Sequence, residues 1–303
     1  MKRIIPLVAL SAMLIWSCGS GSGPSEADLE AEMEAFSKEA APDHSEISAE
    51  AMEEIKQTIP SPIEMTTLIK ETGASYSTDF LNDPEHIAQY SSSFQKSLNL
   101  GVYGADLGYL NLYEKTRQSV TYLGAVRDLA DDLKLGQFFD YETIRQLAEN
   151  KSNPDSLVGL STRNFNKMDQ YLREKDRGNV SILILYGGWL EGLYIASEVA
   201  ASSGHELLRE RIAEQKIVLD DLILLVSIYK SQPYYEDLLA DLETLKAVYN
   251  DVNITFTYAE PELKEVEGRL VLVDNRQSEV EISDETMANI RETITDIRNN
   301  ITL

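Results

Sequence analysis

The sequence is poor in the side chains that build metal centres and nucleophiles. Among its 303 residues there is one cysteine, Cys18, and there are three histidines, His44, His86 and His205. A lone cysteine excludes an intramolecular disulfide and a cysteine-built zinc site, and three scattered histidines offer no spaced ligand set. Basic residues are scarce too: 27 Lys and Arg stand against 51 Asp and Glu, a formal charge of −24. Nucleic-acid binding needs clustered basic residues that release counterions, so a nucleic-acid partner is close to excluded, and adhesion to a bare anionic lipid surface is disfavoured for the same reason. Catalytic signatures are missing as well. There is no Gly-x-Gly-x-x-Gly after a strand, no phosphate-loop lysine, no His-Glu-x-x-His and no Gly-x-Ser-x-Gly elbow. His205-Glu206-Leu-Leu-Arg209 fails as a zinc motif at its last position, and Asp131-Asp132 and Asp220-Asp221 lack calcium-loop spacing. No metal, no cofactor and no catalytic residue is expected. Any chemistry must rest on carboxylates, tyrosines and backbone.

What is present begins with an address. Lys2 and Arg3 precede an apolar stretch from Ile4 to Trp16, which has the form of a signal-peptide core and falls short of the roughly 20 apolar residues of a spanning helix. It ends in Ile15-Trp16-Ser17-Cys18, which resembles the lipobox of bacterial lipoproteins, although Trp16 is bulkier than that pattern usually shows. The resemblance implies removal of residues 1–17 and acylation of Cys18, and thus a protein held on a bacterial membrane by lipid, the outer membrane favoured, with its body in the periplasm or at the surface. Several acyl chains anchor stably because each buried CH₂ contributes about 0.8 kcal/mol.

Residues 18–57 read as a tether. Gly19 to Pro24 is GSGSGP, and the following stretch to Gln57 is acidic, with Lys38 and Lys56 its only basic residues. Leu29, Met33 and Phe36 have helical spacing and Ile47, Met52 and Ile55 have it more loosely, with Pro42 between the runs. A solvated spacer is expected here.

Residues 58–303 read as one mainly α domain, a multi-helix bundle or helical array with a small β-ribbon near the C-terminus. Ser61-Pro62-Ile63-Glu64 opens a helix that Gly73 stops, and Asp83-Pro84 opens a second toward Asn99. Further helices are expected over about Gly101 to Gln118, then to Leu135, Phe138 to Asn150, Pro154 to Lys175, Asn179 to Ser203, Glu206 to Tyr229 and Pro233 to Asn250. The period changes near 252–273, where Asn253 to Tyr258 and Gly268 to Val273 are predicted to pair across a charged loop at Pro261 to Glu267. A last helix, 283–301, is capped by Ser283 and carries Met287, Ile290, Ile294, Ile297 and Ile301 on one stripe.

Two helices share a glycine-rich pattern: Val102-Tyr-Gly-Ala-Asp-Leu-Gly-Tyr109 and Leu185-Tyr-Gly-Gly-Trp-Leu-Glu-Gly-Leu-Tyr194. Glycine inside a helix costs about 1 kcal/mol relative to alanine, so several in a row imply close approach of a second helix or a ligand, with Gly104/Gly108 and Gly188/Gly192 the natural contact pairs. The strings Asn99 to Leu107 and Gly187 to Tyr194 also resemble a group of Bacteroidota-type lipoproteins of unassigned activity. That likeness implies a lipoprotein and adds no catalytic residue.

Asp106 and Glu191 each fall on an otherwise apolar face, Asp106 with Tyr103 and Tyr113, Glu191 with Tyr194. Buried carboxylates must pool their partners, so the two glycine-rich helices are expected to meet and bring both acids into one polar cluster with Tyr103, Tyr113 or Tyr194. If that cluster is structural, Glu191→Gln should fold nearly normally. Three functions remain open, in this order: a non-catalytic module docking another envelope protein; a small-ligand binder in which Tyr103, Asp106, Tyr113, Trp189, Glu191 and Tyr194 line a pocket; and an enzyme using the two acids as acid and base.

Overall fold

The computed structural model describes residues 31–36, 49–60, 62–139, 154–257, 262–266, 269–273 and 277–303. Cys18 and the signal segment lie outside them, as do residues 140–150 of the short helix expected after Phe138. In chain order the helices are α1 (Ala49–Thr58), α2 (Pro62–Glu71), α3 (Ser93–Leu112), α4 (Thr116–Asp132), α5 (Pro154–Glu174), α6 (Gly178–Ser203), α7 (Glu206–Ser227), α8 (Pro233–Tyr249) and α9 (Asp284–Thr302). Residues 31–36 are also helical. Two short 3₁₀ turns, Pro84–Gln89 and Gly136–Phe139, precede α3 and follow α4.

The fold is mainly α and centres on α6. Buried on all sides from Asn179 to Leu193, this helix is packed against α2, α3, α5, α7 and α9. By length and composition it could cross a membrane, yet every residue of its most apolar window is buried inside the fold. Gly204, at φ 63°, ends it in the left-handed conformation that glycine adopts at no steric cost. α3 lies directly against α6 because two glycines let the backbones touch. A Cβ on Gly101 would overlap the Ile184 carbonyl oxygen, and one on Gly187 would overlap that of Leu98. The Gly101 Cβ would also overlap the Gly188 nitrogen, so one member of the expected Gly-x-x-x-Gly pairs lies at the contact, whereas Gly104 does not.

Three helices end by one device, and at α3 it overturns the expected boundary. Glu114, Lys134 and Asp176 have φ of 56°, 56° and 55° just beyond α3, α4 and α5. In each case the next residue donates its N–H five residues back, Lys115 to Leu110, Leu135 to Ala130 and Arg177 to Leu172, at 3.0, 2.7 and 2.7 Å. That bond closes a Schellman motif, but without the glycine that normally announces it. The helix expected over Gly101 to Gln118 accordingly stops at Leu112, and Thr116 starts α4. Upstream, Asp83-Pro84 opens only a 3₁₀ turn. The long helix begins at Ser93, where the Ser92 side chain accepts from Gln95 N and the Gln95 side chain accepts from Ser92 N.

The ribbon is nested. β1 (Asn253–Thr257) pairs antiparallel with β4 (Gln277–Glu281), and β2 (Glu262–Val266) pairs with β3 (Arg269–Val273). The expected pairing of the first strand with 268–273 is therefore wrong. The charged stretch taken for a connecting loop supplies a strand of its own.

The tether boundary also moves. Residues 31–36 and 49–57 belong to the body. Glu32 accepts hydrogen bonds from Ser93 N and Oγ at 2.9 and 2.6 Å, and Phe36, Met52 and Ile55 pack on the core. An acid at the start of α3 is favoured by the helix dipole.

Candidate functional site: a buried acid pair and a glycine-floored cavity

Asp106 on α3 and Glu191 on α6 are both fully buried and face one another. Their third partner is Arg298 on α9, whose Nε and Nη2 donate to Glu191 Oε2 and Oε1, both at 2.9 Å. Arg298 Nη2 also donates to the Phe80 carbonyl at 3.3 Å, and its guanidinium lies 4.6 Å from the centre of the Tyr194 ring. Such a fork satisfies a carboxylate with two parallel charge-assisted bonds. Asp106 has less. Its Oδ2 accepts from Asn82 N at 3.2 Å, and its Oδ1 has no donor within the protein. Burial pushes its pKa well above the usual carboxylate range, the Glu191 carboxylate pushes it further, and Arg298 only partly opposes them. A proton held on Asp106 turns this contact of two acids into a hydrogen bond to Glu191. The cluster then carries one negative and one positive charge.

The other expected residues divide. Tyr103 is buried beside the cluster, its hydroxyl donating to the Asp83 carbonyl at 2.7 Å, and burial raises its pKa. Tyr194 joins the cluster through Arg298. Tyr113 does not: its hydroxyl goes to the Ala74 carbonyl at 2.8 Å, and its ring packs against Tyr76 and Tyr109. Trp189 is buried toward α7, with Nε1 donating to Gln215 Oε1 at 3.0 Å. Cys18 is outside the described residues. None of the expected residues lines the cavity described next.

That cavity, of about 500 Å³, opens elsewhere on the same two glycine-rich helices. Its floor is Gly101, Gly104 and Gly188, with Leu100, Ile184 and Leu185 beside them. α5 forms the facing wall through Phe165, Met168 and Asp169, together with Ser161, Thr162, Asn164 and Asn166 toward the rim. α1 closes one end with Glu53, Lys56 and Gln57. The lining is predominantly apolar, and the volume lies within the range of small-molecule sites.

Gly104 explains the space. Whereas Gly101 is held small by the α6 backbone, a Cβ on Gly104 would meet nothing within 4 Å. Packing does not require this glycine in mid-helix; what it preserves is cavity volume.

The polar end of the cavity is a network of paired charges. Asp169, 3% exposed, takes Lys56 Nζ and Arg173 Nε on Oδ2 at 2.6 and 2.9 Å, and Ser181 Oγ on Oδ1 at 2.5 Å. Glu53 Oε2 faces the same two cations, 3.0 Å from Lys56 Nζ and 3.2 Å from Arg173 Nη2. Sequence reasoning missed this network because Lys56 falls in the stretch assigned to the tether. It missed Arg298 although that residue follows Ile294 by four positions, on the flank of the apolar stripe of α9.

Among the described residues no group of three or more His, Cys, Asp or Glu side chains is placed to hold a metal ion. No family model matches the chain, and neither a curated protein nor a solved structure matches it.

Proposed function

We propose that this chain is an envelope lipoprotein, anchored through Cys18, whose helical body binds a small molecule in the cavity among α1, α3, α5 and α6. The observation that carries the binding reading is Gly104. It costs helix stability, a Cβ there would meet nothing within 4 Å, and it borders a predominantly apolar space of about 500 Å³. From sequence alone a docking module for another envelope protein stood first; the glycine-rich helices touch at Gly101 and Gly187, and the open space beside that contact is what supports a small ligand instead. Use of Asp106 and Glu191 as an acid and base finds no support, since both are fully buried and neither lines the cavity.

Two measurements test the reading. Native mass spectrometry of detergent-free protein is expected to show a bound or exchangeable small molecule that Gly104→Leu loses. A ligand retained equally by both proteins would place binding elsewhere. For the anchor, intact-mass analysis is expected to show diacylglyceryl on Cys18 with residues 1–17 removed, and Cys18→Ser should leave the membrane fraction. An unmodified thiol would end the lipoprotein half of the proposal.

A further inference from the structure

We infer that the cavity selects an uncharged amphiphile, a molecule with an apolar body and a hydrogen-bonding, non-ionic head; this rests on the cavity being the binding site proposed above. Lys56 and Arg173 face Asp169 and Glu53 at the polar end, with separations from 2.6 to 3.2 Å, so two cations and two anions already neutralise each other. An ionic ligand entering here would shed its hydration and find no counter-charge to replace it, which is the costliest way to bury a charge. An anion would in addition approach a chain of net charge −24. Glu64, exposed at the rim, already makes a contact of its own within the protein.

The other polar side chains suit a neutral head. Gln57, Ser161, Thr162 and Asn166 supply donors and acceptors without charge. Asn164 stiffens that wall by donating to the Phe138 carbonyl at 2.9 Å. Opposite them, Leu100, Ile184 and Leu185 beside the glycine floor suit an alkyl or alicyclic body. The uncharged polar side chains thus sit toward the exposed rim, while Leu100, Ile184, Leu185, Phe165 and Met168 line the interior, and the ligand should be divided in the same way.

The test is calorimetric titration of the full chain with three probes sharing one eight-carbon tail: octyl glucoside, octyl sulfate and octyltrimethylammonium, each below its micelle concentration. Octyl glucoside is expected to bind at least about tenfold tighter than either ionic probe, and Gly104→Leu to abolish that binding. Thr162→Trp, on the exposed rim, blocks the same space from the facing wall and serves if Gly104→Leu fails to fold. An ionic probe that binds as tightly as the glucoside in a Gly104-dependent or Thr162-dependent manner overturns selection for an uncharged ligand and leaves the cavity reading standing. Absence of binding by all three, or binding indifferent to both substitutions, overturns the cavity reading itself. Lys56→Met adds a check on the cause: with one cation gone, the order should shift toward octyltrimethylammonium, and an unchanged order would refute charge pairing as the basis of selection.

Discussion

Glu191 and Arg298, 107 positions apart, meet as a two-pronged ion pair with both N···O distances at 2.9 Å and Glu191 without solvent exposure. The pair ties the central helix α6 to the C-terminal helix α9. The end of α9 is tied again by Asn99 Nδ2 donating to the Ile301 carbonyl at 2.8 Å and Tyr90 Oη donating to that of Thr302 at 3.0 Å.

Breaking the pair from either side should be severe. Glu191→Gln is expected to destabilise the fold by about 3–5 kcal/mol, because it strands a buried guanidinium. That revises the expectation from sequence that the amide would be tolerated, which did not include Arg298. Arg298→Met should cost a similar amount by stranding Glu191. Urea unfolding measures both, and a loss under about 1 kcal/mol for either would show the pair to be solvated.

Asp106 should make stability depend on pH. Its folded-state pKa is raised well above the unfolded value, so over the interval between the two the native state holds a proton that the unfolded chain has released. The contribution of Asp106 is therefore greatest below about pH 4 and falls as pH rises toward the folded-state value, by up to about 1.4 kcal/mol per pH unit. Asp106→Asn keeps a donor toward Glu191 without that proton. Its advantage over wild type should be absent at pH 4 and grow with pH, whereas parallel profiles from pH 4 to 8 would mean that Asp106 is ionised in the fold.

Glu114, Lys134 and Asp176 hold left-handed backbone with a Cβ attached. Replacing any of them by glycine should raise stability by about 1 kcal/mol, since the strain is relieved and the Schellman bonds are retained. A fall in the unfolding midpoint for all three would show that their side-chain contacts outweigh the strain.

The glycines of α3 should separate by sign. Gly104→Ala is expected to stabilise by about 1 kcal/mol, having only open space around the new methyl. Gly101→Ala drives a methyl into the Ile184 carbonyl and should cost roughly 3 kcal/mol or more. Thermal unfolding of the two variants side by side decides it, and like signs would contradict the packing described for α3 and α6.

What the sequence determined by itself is whatever acts over a few residues. The apolar stripe of α9 behind its Ser283 cap, the proline start of α8 and the continuous apolar run of α6 all came through, because cap chemistry and the helical period are local. Burial of Asp106 and Glu191 was legible for the same reason, each being an acid on an apolar face. Tertiary structure alone decided the rest. It set α3 against α6 at Gly101 and Gly187, brought Arg298 from the far end of the chain to Glu191, and drew Lys56 out of an expected spacer onto Asp169. A glycine in the sequence states only that a side chain is missing. Whether a neighbouring backbone fills the gap, as at Gly101, or it stays open, as at Gly104, depends on where another helix arrives, and no local spacing encodes that.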